Sequence, residues 1–318
     1  MSVQRAWLSV RALFYHAHTL ALFTKADVTT VLIPVTFFAV AAGPLCHPSR
    51  LLHAFSWIWL HTLQAVMANQ IKAPEEDKIN KPSRPLPQGR ITVQNATVVR
   101  WLVAPVCLAF SAMYSSQLLA TSFAVQAVTI WYNELNGDMG WLSKNILTAF
   151  LYGFVELGGT LAAGCDWSKL SATGRLAVHL NVAVFATTLH AQDFKDVSGD
   201  RLTGRRTFPM MFPLASRMVV GLGIPLWSFI LIKIWDLDVL SSALFTIYSC
   251  YVGARFMFYR SVEADKKSCK YYSVSIGTFL VISYAKVYVT ALVRHASPIP
   301  GVLDVLPRRS QPCSRSFA

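Results

Sequence analysis

Long apolar runs separated by short polar segments dominate this chain. A helix needs roughly 20 apolar residues to cross a bilayer. Stretches near 28–45, 50–70, 98–115, 117–133, 145–164, 175–192, 215–235, 239–258 and 271–293 approach that length. The pattern therefore predicts about nine spanning helices and an all-α polytopic membrane protein. The third and fourth runs are nearly fused, with only Tyr114-Ser115-Ser116-Gln117 between them. The stretch 1–27 carries Arg5, Arg11, His16, His18 and Lys25. Charges at that density predict an interfacial N-terminal helix rather than a cleavable signal. The transmembrane domain then covers 28–293. The Pro-, Ser- and Arg-rich segment 294–318 reads as a poorly ordered tail.

Two of the polar interruptions are acidic. Asn69-Gln70-Ile71-Lys72-Ala73-Pro74-Glu75-Glu76-Asp77, running on to Asn80-Lys81-Pro82-Ser83-Arg84-Pro85, follows the second run. Asp193-Phe194-Lys195-Asp196-Val197-Ser198-Gly199-Asp200-Arg201 follows the sixth. Parity puts both on one membrane face, together with the loop holding Lys266, Lys267 and Lys270. That face collects most Lys and Arg near the span ends, which assigns it to the cytosol. An apolar helix followed by an acidic motif thus occurs twice, four spans apart. Two facing halves of that kind would bring both acidic clusters to one central cavity.

Composition agrees with a membrane class. The 318 residues are 54% hydrophobic and 14% charged, where a soluble domain has about 25% charged residues. The net charge of +13 falls mainly in loops and tails. Topology and anionic lipid account for it, and nucleic acid is not expected as a partner. The six cysteines are scattered without CxxC or Cys/His spacing, so neither a disulfide nor a zinc site is expected.

Carboxylates at a membrane boundary are costly and normally mean function. Magnesium takes carboxylate and phosphate oxygens and keeps several waters. Asp196 and Asp200, four apart, share a face if helical. Asp193 precedes them by one turn, and Glu76 or Asp77 can serve from the first motif. Arg84, Lys195, Arg201, Arg205 and Arg206 can grip diphosphate oxygens, Arg with forked geometry. Such a site would ionise an allylic diphosphate. The carbocation left behind needs a dry pocket lined with aromatic faces, for which the spans offer Trp57, Trp59, Trp131, Tyr132, Tyr152, Phe154 and Phe185.

These motifs carry a resemblance. Asn69-Gln70, Asp77, Asn80-Lys81-Pro82, Arg84-Pro85, Pro87 and Gly89 resemble the first signature of the UbiA superfamily of intramembrane prenyltransferases. The segment from Asp193 to Arg201, continued by Gly204-Arg205-Arg206-Thr207, is similar to its second Asp-rich signature. The resemblance covers roughly 28–293. It implies a helical bundle around a central cavity, Mg²⁺ held by Asn69, Glu76, Asp77, Asp193, Asp196 and Asp200, and isoprenyl diphosphate held by Arg84, Lys144, Lys195, Arg201 and Arg205. The residues acting on the leaving group would be Asp77, Asp196 and Asp200. One departure stands out: the usual first-motif Asp, four after the Asn, is Ala73 here. The Glu75-Glu76-Asp77 variant, with Tyr132-Asn133-Glu134, Trp141 and Lys144-Asn145, resembles the fungal branch that includes membrane-bound sesquiterpene cyclases. That branch implies farnesyl diphosphate as substrate, closure of the cation on itself, and residence in the endoplasmic reticulum membrane.

Each feature has a plainer reading. The acids of the second motif can cap helices in a solvated loop. Glu75, Glu76 and Asp77 cannot all face one metal. Asn69 can be a helix C-cap. His53, His61, His179 and His190 read as packing residues. Glu156, inside a span, must be buried, protonated or paired. Two rival functions remain: a prenyltransferase passing the prenyl cation to an aromatic or quinone-precursor acceptor, and an anion transporter with broken-helix repeats around a midplane site.

Overall fold

The computed structural model describes residues 3–43 and 45–275, and these form an almost wholly helical bundle. Helix α1 (Val3–Thr24) runs into a 3-10 turn (Lys25–Asp27), a π-helical turn (Val28–Leu32) and α2 (Ile33–Ala42). Then follow α3 (Arg50–Lys72), the short α4 (Pro74–Asn80), α5 (Val93–Ala112), α6 (Ser116–Asn133) and α7 (Trp141–Ala163). The chain continues with α8 (Ala172–Thr188), a 3-10 helix (Leu189–Lys195), α9 (Val197–Leu202), α10 (Phe208–Met211), α11 (Pro213–Trp235) and α12 (Val239–Phe258). Residues 262–275 are helical as well.

Among the described residues, five helical stretches are long and apolar enough to cross a membrane: Val10–Ala42, Val93–Ala112, Trp141–Ala163, Pro213–Trp235 and Val239–Phe258. That is fewer than the nine expected. Helices α3 and α6 miss the measure because they turn polar side chains inward, His61, Thr62 and Gln64 on α3 and Thr121, Ser122 and Thr129 on α6, all buried. Helix α8, which buries Asn181, is only 17 residues long. The expected ninth span, 271–293, lies largely outside the described residues, as does the tail 294–318. The first span begins earlier than expected, since the helical path is continuous across residue 27. The near-fused third and fourth runs are two helices. Ser115 ends the first turn of the connection by accepting from the Leu118 N–H, an N-cap.

Helix α7 is the centre of the bundle, packed against α2, α3, α6 and α8. Trp57, Ile58, Leu118, Val125 and Leu161 fill the core on one side of it; Phe185, Val220, Ile224 and Phe256 fill the other. The outer surface is apolar: Phe14, Phe123, Leu222, Phe229 and Leu244 are each more than half exposed. Exposed apolar surface on this scale belongs in lipid. The chain is an integral membrane protein.

The connections sort to two ends. Segments 73–92, 134–140 and 193–212 share one end, and 43–49, 113–115, 164–171 and 236–238 the other. Cys46 and Cys165 meet at the second end and form a disulfide. This corrects the reading of the cysteines. Their separation of 119 residues leaves no local spacing to read, and only the return of α7 beside α2 and α3 brings them together.

Candidate active site

Pro74 shapes the first motif. The residue before a proline is pushed out of the α region, and Ala73 has φ −132° and ψ 58°. Helix α3 therefore stops at Lys72, and α4 restarts with Pro74 in its first turn, where the missing N–H costs nothing. Glu75, Glu76 and Asp77 sit in the favourable first turn of α4. Glu76 and Asp77 are buried, while Glu75 is 79% exposed and pairs with Lys78. Asn69 is no helix cap, since α3 continues past it and its side chain lines the interior.

The second motif straddles the 3-10 helix and α9. Asp193 and Asp200 are buried, and Asp196 stands at the N-cap position of α9, its side chain making no capping hydrogen bond. Gly199 lets α9 approach α4: a Cβ there would lie 1.9 Å from Asn80 Nδ2 and 3.1 Å from Glu76 Cγ. Gly204, at φ +73°, turns the chain back through the left-handed region that glycine adopts freely. Arg205 is thereby aimed inward, and the Arg206 N–H donates to Met139 O at 2.8 Å.

The two motifs meet. Arg205 donates through Nη1 to Glu76 Oε2 (2.9 Å) and Asp200 Oδ1 (3.2 Å), and through Nε to Asp138 Oδ2 (2.9 Å). Arg84 Nη1 donates to both oxygens of Asp77 at 2.7 and 2.8 Å. Lys144 Nζ donates to Asp193 Oδ1 at 2.7 Å and lies 3.6 Å from Asp200 Oδ2. Each buried acid of the motifs thus has a basic partner. Burial pushes the Asp200 carboxyl above the ordinary carboxylate range, against the opposing pull of Lys144. Burial and then Arg84 push the Lys81 ammonium below the ordinary lysine value.

Two cavities adjoin at this end. A polar one of about 170 Å³ is lined by Glu76, Asp77, Asp193, Asp196 and Asp200, with Lys81, Lys144 and Arg205. An apolar one of about 250 Å³ extends into the bundle past Val31, Val66, Leu151 and Val155. Asn69, Tyr132, Thr148, Tyr152 and Gln192 line both, so the spaces communicate.

Not every expected residue is at this place. Arg201 is exposed, because the residue after the inward-facing Asp200 points about 100° away on a helix. Lys195 is partly exposed, 3.7 Å from Asp196, and lines neither cavity. Of the aromatic candidates, Tyr132 and Tyr152 line the apolar cavity and Phe185 a small space of about 20 Å³ beneath it. Trp57 is fully buried in the core, stacked on His61 and donating to Ser111. Glu156 is fully buried, with Oε2 accepting from Asn181 Nδ2 at 3.0 Å.

Sequence reasoning missed Asp138, which is completely buried and bonded to both Lys72 and Arg205. The left-handed Asn136 just before it was the available signal of a constrained loop. It also missed Gln192 and Asp27, which line the cavities from apolar segments.

The donor set fits a hard divalent cation. Asp193 Oδ2 and Asp200 Oδ2 are buried without a hydrogen-bond partner. No three His, Cys, Asp or Glu side chains among the described residues form a ready-made cage. Magnesium does not require one, since one or two carboxylates plus phosphate oxygens and water suffice.

The family model for the UbiA prenyltransferase family matches residues 31–275. The chain belongs to this family. A relative is the fumagillin beta-trans-bergamotene synthase af520 of Aspergillus fumigatus, 33% identical over 223 residues, covering 68% of this chain and 74% of that one. Another is the diterpene cyclase eriG of Hericium erinaceus, 28% identical, covering 62% and 65%. A digeranylgeranylglyceryl phosphate synthase of Methanoculleus marisnigri is 30% identical, covering 55% and 60%. The fold is that of a UbiA homologue from Archaeoglobus fulgidus solved with GPP and Mg²⁺, at a TM-score of 0.62 and 12% identity, covering 85% of this chain and 99% of that one.

Proposed function

We propose that this UbiA-family protein is a Mg²⁺-dependent, membrane-embedded terpene cyclase that ionises an isoprenyl diphosphate, farnesyl diphosphate by preference, and releases diphosphate. The observation that carries this reading is the pairing of the two cavities: a charged space holding both acidic motifs opens directly onto an apolar one. The diphosphate sits among Lys81, Lys144, Arg84 and Arg205. Asp77, Asp193, Asp196 and Asp200 would hold Mg²⁺, which would supply neutralisation of charge on the leaving group. Arg84 and Arg205 are then free to turn from the carboxylates to phosphate oxygens, with their forked geometry suited to both. Tyr132 and Tyr152 present ring faces to the developing cation, and the surrounding aliphatic side chains exclude water.

The bergamotene synthase and diterpene cyclase relatives support cyclisation. The family's description as prenyltransferases supports a second reading, in which the cation is passed to an aromatic or quinone-precursor acceptor. A transporter is disfavoured because both motifs gather at one end of the bundle rather than at its middle. That end carries most of the basic residues, which supports a cytosolic orientation in the endoplasmic reticulum membrane. The disulfide at the opposite end agrees with a lumenal face, where disulfides persist.

Microsomes containing the protein, given farnesyl diphosphate and Mg²⁺ without acceptor, will make a cyclic hydrocarbon. Absence of hydrocarbon, with prenylation once an aromatic acceptor is added, would favour the transferase.

A further inference from the structure

A cyclase that makes a hydrocarbon ends its reaction by losing a proton, and a base beside the apolar cavity takes it. We propose that Asp27 is that base, its carboxylate lining the cavity where the final carbocation forms. The inference rests on the cyclase reading above.

Asp27 lines the apolar cavity alongside Val31 and Tyr152, and among the described residues it is the one carboxylate to do so. Its Oδ2 is buried and has no hydrogen-bond partner. A carboxylate oxygen left unbonded in apolar surroundings is costly, and no structural contact repays it here. The nearby positive charges, Arg84, Lys81 and Lys195, attract it but none bonds to it: Arg84 is held by Asp77 and Lys195 lies by Asp196. The backbone is distorted at this point as well. The 3-10 turn ends at Asp27 and a π-helical turn begins at Val28. Such π segments interrupt regular helices most often at functional sites.

The other acids are placed elsewhere. Glu76, Asp77, Asp193, Asp196 and Asp200 line the polar cavity. Glu156 borders the small space below, which meets the apolar cavity only at Tyr152 and Gln192. Its Oε2 is held by Asn181 while its Oε1 is buried without a partner, so it is the rival base that Glu156→Gln tests. The neutral groups on the apolar cavity wall, such as Asn69, Thr148 and Gln192, are far weaker bases than a carboxylate.

The step balances. The C–O bond of the substrate breaks and its electron pair leaves with diphosphate. Ring closure moves the positive charge to another carbon. A C–H bond adjacent to that carbon then breaks. Its electron pair becomes the new C=C bond, and its proton bonds to a carboxylate oxygen of Asp27. The carboxyl returns the proton to water after product leaves.

The test uses the full chain in detergent with farnesyl diphosphate and Mg²⁺. Diphosphate release and the hydrocarbon profile are both measured, for the wild type, Asp27→Asn, Asp27→Glu and Glu156→Gln. Asp27→Asn will release diphosphate within about threefold of wild type, because ionisation is left intact. Its main hydrocarbon will fall at least about tenfold, as expected for loss of a positioned base, in favour of alcohols and of olefins from earlier cations. Asp27→Glu keeps the carboxylate and will retain elimination; it reads the same point if the amide variant does not fold. Glu156→Gln will keep the wild-type profile. An unchanged profile in Asp27→Asn overturns the proposal, and so does loss of diphosphate release in folded Asp27→Asn. A wild-type protein that releases no diphosphate without an acceptor refutes the cyclase reading itself.

Discussion

Arg205 is the side chain on which the two motifs meet, and its replacement gives the sharpest structural prediction. Its side chain is 8% exposed and holds Glu76, Asp138 and Asp200. Asp138 keeps Lys72 if Arg205 is removed, and Asp200 keeps Lys144 at 3.6 Å. Glu76 keeps no basic partner. Breaking a buried ion pair by deleting one member costs about 3–5 kcal/mol. Two of the three acids retain a cation, so the lower end, about 3 kcal/mol, applies to Arg205→Ala. That corresponds to a fall of about 6–12 °C in Tm. Arg205→Lys keeps the charge but has no second nitrogen to reach Asp138 and Glu76 together, and should cost about 1.5–3 kcal/mol for one lost charged hydrogen bond. The assays are thermal unfolding in detergent and initial-rate diphosphate release. Release should fall about 10²-fold in Arg205→Ala, the equivalent of the same energy on the barrier. Added Mg²⁺ should raise Tm more in Arg205→Ala than in the wild type, since the cation would neutralise the stranded acids. A Tm within about 2 °C of wild type, with release within about threefold, would refute the reasoning, as both limits lie below 1 kcal/mol.

The remaining predictions concern neighbouring features. In the first motif, Asp77→Ala should be most damaging to Mg²⁺-dependent diphosphate release, Glu76→Gln intermediate and Glu75→Gln mildest; full activity in Asp77→Ala beside a dead Glu75→Gln would show the opposite register. Gly199→Ala should destabilise by about 1–3 kcal/mol through overpacking against Asn80, read as a lowered Tm, and an unchanged Tm would mean α4 and α9 are not closely apposed. Cysteines engineered at positions 80 and 198 should label from the same side of sealed microsomes, and the Cys46–Cys165 disulfide should resist a membrane-impermeant reductant from that side until permeabilisation. Labelling of 80 and 198 from opposite sides would separate the motifs.

The motifs and most spans were legible because each is local. Apolar run length reports a span, and Asp193 to Arg201 carries its own spacing. Pro74 marked the break that exposes Glu75 and buries Glu76 and Asp77, although a lone proline does not say which way the restarted helix points. The pairing of Cys46 with Cys165 and the place of Asp138 depend on contacts between distant segments, which no local pattern encodes. Arg201 lies apart from the cavities because a helix sends adjacent side chains in different directions, which reading Asp200 and Arg201 as one motif overlooks. Asp27 was hidden for a related reason: as a single acid beside Lys25 it reads as interface, and only the fold turns it toward the cavity.

The central claim is that both acidic motifs act on one diphosphate. Its most direct test is Mg²⁺-dependent diphosphate release by Asp77→Ala, Asp200→Ala and the double variant. Residues that act as a unit are strongly non-additive, so each single change should remove most of the rate and the double should be little worse than either. Losses that simply multiply, or a single variant within a few-fold of wild type, would contradict the shared site.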